Sequence, residues 1–187
     1  MKKEKTGIYF IDSTILKICH IKREKQNKVF KGIARKSKSS MGWFFGFKLH
    51  FICNDKGEIM SFKLTHANVD DRKPAFDLVK GLVGKLIGDR GYMSKKLFAE
   101  LYKNKLHLIT KIRSNMKNKL MSTYDKFLLR KRAIIESIND QLKNICQIEH
   151  SRHRSVDNFL ANIMAAISSY SLKSKKPSLN LANLALA

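Results

Sequence analysis

Two aspartates directly follow short apolar runs of the chain, an arrangement that suits metal chemistry. Asp12 follows the β-branched and aromatic run 7–11, and Asp89 follows the apolar run 84–88. Acids at the carboxyl ends of two buried strands lie at the edge where α/β sheets place their sites. Neighbouring strands are about 4.8 Å apart, so the two carboxylates can share one divalent ion or bridge two. Oxygen-only ligands favour Mg²⁺ or Mn²⁺ over zinc.

A third acid, Glu136, lies on a predicted amphipathic helix that begins near Lys126. At 100° per residue one face of this helix is apolar, formed by Ile134, Ile135, Ile138, Leu142 and Ile145. Glu136 lies on the opposite face, with Arg132 one turn before it and Lys143 two turns after it. If the helix crosses the strand ends obliquely, Glu136 adds a third carboxylate to the site. The alternative is a solvent-exposed helix face with an Arg132–Glu136 ion pair, worth about 0.3–0.5 kcal/mol.

Three carboxylates in one place suit phosphodiester chemistry. Two Mg²⁺ ions about 3.5–4 Å apart activate a water or a 3′-hydroxyl and stabilise the leaving oxygen. Other assignments stay open, because Asp12 also suits the cap of the turn that follows its strand. Asp70 and Asp71 precede a predicted helix over 71–82, as its caps or as rival site acids. His150 and His153 lack a second ligand pair, so the pattern gives little support to a metal site there.

The charge of the chain points to a polyanionic partner. The 187 residues include 38 Lys and Arg against 15 Asp and Glu, a net charge of +23. Nucleic acid would neutralise this excess, and counterion release would make the binding salt-dependent. Two basic connections are predicted, over 17–42 and 111–125. Candidate DNA-contacting residues of the first connection are Lys22, Arg23, Arg35, Lys36 and Lys38.

The remaining composition favours one domain in a reducing compartment. Hydrophobic residues make up 43% of the chain, enough for a proper core. Cys19, Cys53 and Cys146 are far apart in sequence and suit reduced thiols. No apolar run reaches the ~18–20 residues that span a bilayer, and no signal peptide opens the chain. We therefore expect a cytoplasmic protein with no membrane partner.

The order of predicted elements indicates an α/β fold. A strand, two hairpin strands, a helix, a strand, a helix, a strand and two helices give a mixed five-stranded sheet flanked by helices. A right-handed crossover then brings the Asp89 strand beside the Asp12 strand. The last helix begins at Ser155, so the prediction is one domain over 1–172 and a tail over 173–187.

Three motifs together resemble a known family. Ile-Asp12-Ser-Thr, Gly-Asp89-Arg-Gly-Tyr and Arg-x3-Glu136-x6-Lys are similar to the D-D-E catalytic core of bacterial insertion-sequence transposases. The helix sequence Arg-x3-Glu-x2-Asn-Asp-Gln-Leu-Lys resembles most closely insertion-sequence family number nine-eight-two, and the likeness covers about residues 7 to 172. It implies an RNase H-like fold with Asp12, Asp89 and Glu136 as ligands of two Mg²⁺ ions, which Mn²⁺ can replace.

The same resemblance implies an activity and partners. It implies metal-dependent DNA strand cleavage and strand transfer by a homodimer on paired transposon ends in a bacterial nucleoid. Arg132 and Lys143 would contact phosphates of the transposon end.

The chain departs from the family pattern in two ways. Leu129 stands where related transposases often carry a Tyr, three residues before the signature Arg. Only eleven residues precede Asp12, so we expect an N-terminally truncated copy without the family's DNA-binding domain. A non-catalytic, basic DNA-binding or regulatory protein is the first alternative. An RNase H-like nuclease for RNA–DNA hybrids is the second.

Overall fold

The computed structural model describes residues 3–39, 42–111, 120–149, 152–179 and 181. The strands are β1 (Ile8–His20), β2 (Arg35–Ser39), β3 (Gly42–Asn54), β4 (Ile59–His66), β5 (Gly84–Gly88) and β6 (Leu106–Thr110). The α-helices are α1 (Arg72–Leu78), α2 (Lys95–Lys103), α3 (Thr123–Arg130), α4 (Ala133–Asp140) and α5 (Val156–Leu172). Short 3-10 helices cover Ile21–Gln26 and Arg90–Tyr92, and a π-helical turn, Gln141–Ile145, continues α4.

All six strands form one mixed sheet. Its order is β2-β3-β1-β5-β6, and β4 also pairs with β3. β1 pairs antiparallel with β3, whereas the pairs β1–β5 and β5–β6 are parallel. The predicted neighbourhood of the Asp12 and Asp89 strands is therefore confirmed. The predicted number of strands was too low by one, because β2 lies within residues 17–42, which were predicted to form a basic connection.

The prediction of a long loop over 17–42 was wrong in a second way. β1 continues past Asp12 to His20, paired with β3 along its length apart from a register shift between Lys17 and Cys19. The backbone ladder continues because β3 is equally long, at 13 residues. Asp12 therefore lies within the body of β1 and not at its carboxyl end.

Helices cover both faces of the sheet. One core cluster joins Phe10, Phe51 and Ile87 to buried residues of α3, α4 and α5. The other joins Tyr9 and Ile11 to buried residues of α1 and α2. This double coverage is the reason that residues 9–11 are buried without alternation.

The predicted Glu136 helix is interrupted in the structure. α3 ends at Arg130 and α4 begins at Ala133, with the cap of α3 provided by Ser122, whose Oγ accepts a hydrogen bond from Asp125 N at 3.1 Å. Four of the five predicted apolar-face residues of this stretch are buried: Ile134, Ile135, Ile138 and Leu142. Ile145 is 61% exposed, so its predicted burial was wrong. The π-helical turn changes the number of residues per turn and rotates it away from the core.

The beginning of the predicted tail contacts the domain. Leu179 N donates to Asp55 O at 2.9 Å, and the hydroxyl of Tyr170 on α5 donates to Gly57 O at 2.7 Å. These contacts hold the end of α5 and the segment after it against the β3–β4 turn. Within the part of the chain that the structure describes, no helix combines the length and apolar character needed to cross a bilayer.

Candidate active site

The parallel pairing of β1 with β5 brings Asp12 near Asp89. The parallel pairs run from Ile8 with Lys85 to Phe10 with Ile87. The pairing ends there, and Asp89 directly follows the last residue of β5. The charge of Asp89 contributes to the pKa of Asp12, so the two carboxylates lie near each other at this end of the β1–β5 pair.

The side chain of Asp12 is shielded from most of the solvent, with 19% of it exposed. The pKa of this carboxyl is raised from 3.8 to about 6, mainly by burial and also by the negative charges of Asp89 and Glu136, whereas Arg132 and a backbone hydrogen bond at Ser13 lower it. The three predicted site acids are therefore near enough to interact electrostatically.

Arg132 lies between two of these acids. Its Nη2 donates to Glu136 Oε1 at 2.9 Å, and its Nη1 lies 3.9 Å from Asp12 Oδ2. Nη1 is buried and makes no hydrogen bond to any described atom. The guanidinium therefore lies between Asp12 and Glu136 and offsets part of their negative charge.

α4 turns its polar face toward β1. Asn139, one turn after Glu136, donates from Nδ2 to Asp12 Oδ2 at 3.4 Å. Glu136 itself is 60% exposed and bonded to Arg132. Part of the polar face of α4 therefore lies over Asp12, whereas Glu136 faces Arg132 and solvent, and its predicted place beside the aspartates stays a prediction. Asn139 was missed in the sequence argument, where it was only one member of the polar stripe.

Asp89 and a neighbouring pocket extend the site. Asp89 Oδ1 accepts a hydrogen bond from Gly91 N at 2.9 Å and so caps the turn Arg90–Tyr92. A pocket of about 240 Å³ opens beside it, lined by Gly88, Asp89, Arg90, Lys111, Leu129 and Arg132. Three cations next to one acid make this pocket suited to an anionic group such as a phosphate.

The donor set suits a divalent cation in part. Asp12 and Asp89 are two hard oxygen donors on adjacent strands, as Mg²⁺ or Mn²⁺ require. Among the described residues, however, no group of three His, Cys, Asp or Glu side chains is arranged to hold a metal ion. The aspartate pair therefore fits such an ion, whereas Glu136 is bonded to Arg132.

The sequence matches the profile of a family described as "Transposase DDE domain" over residues 2–156. This chain belongs to that family. No curated protein sequence matches it.

Solved structures resemble this DDE domain to different degrees, and among three of them the piggyBac likeness is the one with a TM-score above 0.5. A piggyBac transposase in a synaptic complex with hairpin DNA matches with a TM-score of 0.59 and 12% identity, over 97% of this chain and 49% of that one. The catalytic core domain of BIV integrase matches with a TM-score of 0.48 and 9% identity, over 97% and 99% of the two chains.

A simian T-cell lymphotropic virus intasome in complex with PP2A regulatory subunit B56 gamma matches with a TM-score of 0.44 and 11% identity, over 95% and 55%. The DDE domain thus has an RNase H-like fold, as predicted, and spans about half the length of the piggyBac chain that it matches.

Lys143, the second cation of the predicted motif, pairs with Glu149, an acid that was not among the predicted site residues. Lys143 Nζ lies 2.9 Å from Glu149 Oε2, and Glu149 Oε1 accepts a hydrogen bond from Lys17 N at 2.9 Å. Lys143 therefore ties the π-helical turn to β1 through Glu149. Its predicted phosphate contact stays a prediction.

Asp70 and Asp71, the two alternative site acids, form ion pairs with residues other than those predicted for the Asp12 site. Asp70 is bonded to Arg72, whose side chain holds the pKa of that carboxyl well below its usual range. Asp71 pairs with Lys48 Nζ at 2.9 Å and lies 3.7 Å from His50 Nδ1. Asp71 makes no side-chain cap bond to α1, so its predicted capping role was wrong.

The predicted DNA-contacting residues lie on the 3-10 helix Ile21–Gln26 and on β2. Lys22 and Arg23 are exposed on the 3-10 helix, and Lys36 and Lys38 are exposed on β2. Arg35 is also exposed, but its Nη1 donates to Gly32 O and Ala34 O at 2.9 and 3.2 Å. Most of the second basic connection, and His150, lie outside the described residues.

We expect Arg132→Gln to raise the pKa of Asp12 above its value of about 6. Burial and the neighbouring carboxylates raise that pKa, and Arg132 is the largest opposing influence. Carboxyl carbon chemical shifts followed through a pH titration measure the change. Arg130→Gln, an exposed position at the end of α3, is the matched control and is expected to leave the pKa unchanged. An unchanged pKa in Arg132→Gln would show that the guanidinium does not act on Asp12.

Proposed function

We propose that this chain is the catalytic domain of an insertion-sequence transposase and cleaves and joins DNA strands with divalent metal ions. The observation that carries the proposal is the proximity of Asp12, on β1, to Asp89, directly after the parallel strand β5, with Asn139 of α4 bonded to Asp12. Membership of the transposase DDE domain family and the RNase H-like fold support it. Among the members of that family, we propose insertion-sequence family number nine-eight-two, on the motif of α4.

The metal ligands in this proposal are Asp12, Asp89 and Glu136. Bound Mg²⁺ or Mn²⁺ would supply Lewis-acid activation of a water or a 3′-hydroxyl and stabilisation of the leaving oxygen. Asp12 must lose its proton to bind a cation. Since its pKa is about 6, its carboxylate is available mainly above that pH.

Arg132 has two roles in this proposal. In the absence of DNA it offsets the charge of Asp12 and Glu136, which it contacts at 3.9 and 2.9 Å. When a phosphate enters, the guanidinium exchanges these acids for the phosphate oxygens, a geometry that arginine suits because it can donate two parallel hydrogen bonds. That exchange frees Glu136. Arg90 and Lys111, which line the adjoining pocket, hold the neighbouring phosphate.

DNA binding is proposed to depend on Lys22, Arg23, Lys36 and Lys38. None of these four forms an ion pair with another residue in the described part of the chain. Their charges are therefore available for phosphates. We also propose that the domain acts as a homodimer on paired transposon ends.

A non-catalytic DNA-binding role is the second candidate. The pairing of Glu136 with Arg132, and the absence of a three-acid metal group among the described side chains, favour it. In that case the basic surface would bind DNA and the acids would only hold Arg132 and Asn139 in place.

A nicking assay on supercoiled duplex DNA separates the two candidates. The purified chain is expected to nick the plasmid with Mg²⁺ or Mn²⁺ and to stop when EDTA is added. The triple variant Asp12→Ala, Asp89→Ala, Glu136→Ala is expected to bind DNA but not to nick it. Asp71→Asn, a rival acid on a different contact, is the control and is expected to keep nicking.

Three results would count against the proposal. Nicking that persists in the triple variant would show that the site assignment is wrong. Salt-sensitive DNA binding without metal-dependent nicking by the unmodified chain would favour the non-catalytic role. Preferential cleavage of an RNA–DNA hybrid would instead identify a nuclease of the RNase H type.

A further inference from the structure

An exposed tryptophan stands near the start of β3. Trp43 is the sole tryptophan of the chain, and its side chain is 56% exposed. The next two residues, Phe44 and Phe45, are 2% and 4% exposed. Trp43 makes no ring contact, cation–π contact or side-chain hydrogen bond with another described residue. The indole is therefore accessible to a partner, and what that partner is depends on the residues around it.

The neighbours of Trp43 across the sheet are lysines. In the antiparallel pairing of β2 with β3, Lys38 is directly opposite Trp43 and Lys36 is opposite Phe45. Residues directly opposite each other project from the same face of a sheet. The indole and both ammonium groups therefore share one face of the β2–β3 hairpin.

The charges on this hairpin face are not neutralised by the described part of the protein. Neither Lys36 nor Lys38 forms an ion pair with a described residue, and β2 contains no acid. Lys36, Lys38 and Trp43 are all exposed, so this face is open to a partner at these positions. Arg35 differs, since its guanidinium is bonded to two backbone carbonyls of the preceding turn.

We propose that Trp43, Lys36 and Lys38 form a platform on which one unpaired DNA base stacks. Aromatic side chains in cationic surroundings bind single-stranded nucleic acid in this way, because every base has a π-face and every link has a phosphate. A base inside an intact duplex has both faces covered by its neighbours. The ligand is therefore a base at a single-stranded stretch, a frayed end or a hairpin loop. This proposal depends on the proposed function in one respect: both take DNA as the substrate.

The platform is too far from the acids to take part in the chemistry. Asp12 is opposite Phe51, and Trp43 lies eight residues before Phe51 on β3. At about 3.4 Å per residue this separation is about 27 Å. Trp43 is thus a binding residue, which affects affinity and leaves the rate of cleavage at saturating DNA unchanged.

Tryptophan fluorescence tests the platform directly, because the full chain has no other tryptophan. The probes are a thymine oligonucleotide of about 20 nucleotides and a blunt duplex of the same length, both titrated in EDTA so that no cleavage occurs. We expect the single strand to quench the emission and the duplex to leave it nearly unchanged. Quenching by both probes alike, or by neither while fluorescence anisotropy of labelled DNA shows binding, would overturn the proposal.

Two substitutions separate stacking from folding. Trp43→Ala is expected to weaken single-strand binding about 10-fold, within the range of stacking contributions, and Trp43→Phe to restore most of it. Equal binding by the alanine and phenylalanine variants would overturn the proposal. Lys36→Gln with Lys38→Gln is expected to lower the salt slope by about 1.4, since each phosphate contact on single strands contributes about 0.7. An unchanged slope would also contradict it.

The test is independent of catalysis. Loss of quenching in a chain that still nicks duplex DNA would remove the platform and leave the proposed function intact. Quenching in a chain that never nicks would support the platform and count against the proposed catalytic role.

Discussion

Replacing Asp12 with asparagine is expected to abolish metal-dependent nicking and, at neutral pH, to make the protein more stable. Asparagine has nearly the same shape and keeps an acceptor for Asn139, which donates to Asp12 at 3.4 Å. It removes a negative charge that a cation requires as ligand. Because metal-ion catalysis contributes several kcal/mol, we expect the rate to fall by about 1000-fold or more.

The gain in stability follows from the sign of the pKa shift. The folded protein raises the pKa of Asp12 from 3.8 to about 6, so it binds more protons than the unfolded chain between these values. Stability therefore falls as the pH rises through that window. At pH 7.5 the ionised side chain costs on the order of 1–3 kcal/mol, at about 1.4 kcal/mol per unit of pKa and discounted for partial exposure.

Calorimetric melting at several pH values measures this effect. The difference in melting temperature between Asp12→Asn and the unmodified protein should be near zero below the pKa of 3.8 and reach its full value above about 6. Asp70→Asn is the control with the opposite sign, because Arg72 lowers the pKa of that carboxyl and its ionised form stabilises the fold. A lower melting temperature of Asp12→Asn at pH 7.5, or nicking at the normal rate, would contradict the account.

A pair of isoleucine substitutions in one helical stretch is expected to differ by several kcal/mol. Ile135 on α4 is 0% exposed, whereas Ile145 on the π-helical turn is 61% exposed. Ile135→Ala should lower the free energy of unfolding by about 2–5 kcal/mol, because it removes buried methyl groups and leaves a cavity. Ile145→Ala should change it by less than about 0.5 kcal/mol.

The comparison tests the π-helical turn as well as the core. A regular α-helix through residue 145 would place both isoleucines on the buried face and give both substitutions a large cost. Urea unfolding of the two variants, read by circular dichroism, measures the difference. Similar losses in the two variants would show that α4 continues without the turn.

The aspartate pair could be predicted from the sequence, and the surroundings of Glu136 could not. The apolar runs before Asp12 and Asp89 read as buried strands, and the handedness of the crossover made them neighbours. The extension of β1 beyond Asp12 was missed because a polar stretch, Asp12–Thr14, resembles the end of a strand. β2 was missed because an exposed edge strand of sequence Arg-Lys-Ser-Lys-Ser carries no apolar alternation.

The i,i+4 spacing of Arg132 and Glu136 was open to two interpretations. The structure has the ion pair of the first. Asn139 and Arg132 contact Asp12, but the carboxylate of Glu136, which the second required at the aspartates, is bonded to Arg132. A helical wheel gives the face of a residue but not the angle at which the helix crosses a sheet. For the same reason the pairing of Lys143 with Glu149 could not be predicted, since it depends on the π-helical turn and on the path after it.

The most direct test is the position of Mn²⁺ in crystals of the full chain with a cleaved DNA end. Manganese takes the same oxygen ligands as Mg²⁺, and its anomalous scattering locates it without assumptions about the site. The account predicts an anomalous peak at bonding distance from carboxylate oxygens of both Asp12 and Asp89, with Glu136 released from Arg132. No peak at these aspartates in saturating Mn²⁺, with Arg132 still bound to Glu136, would contradict it.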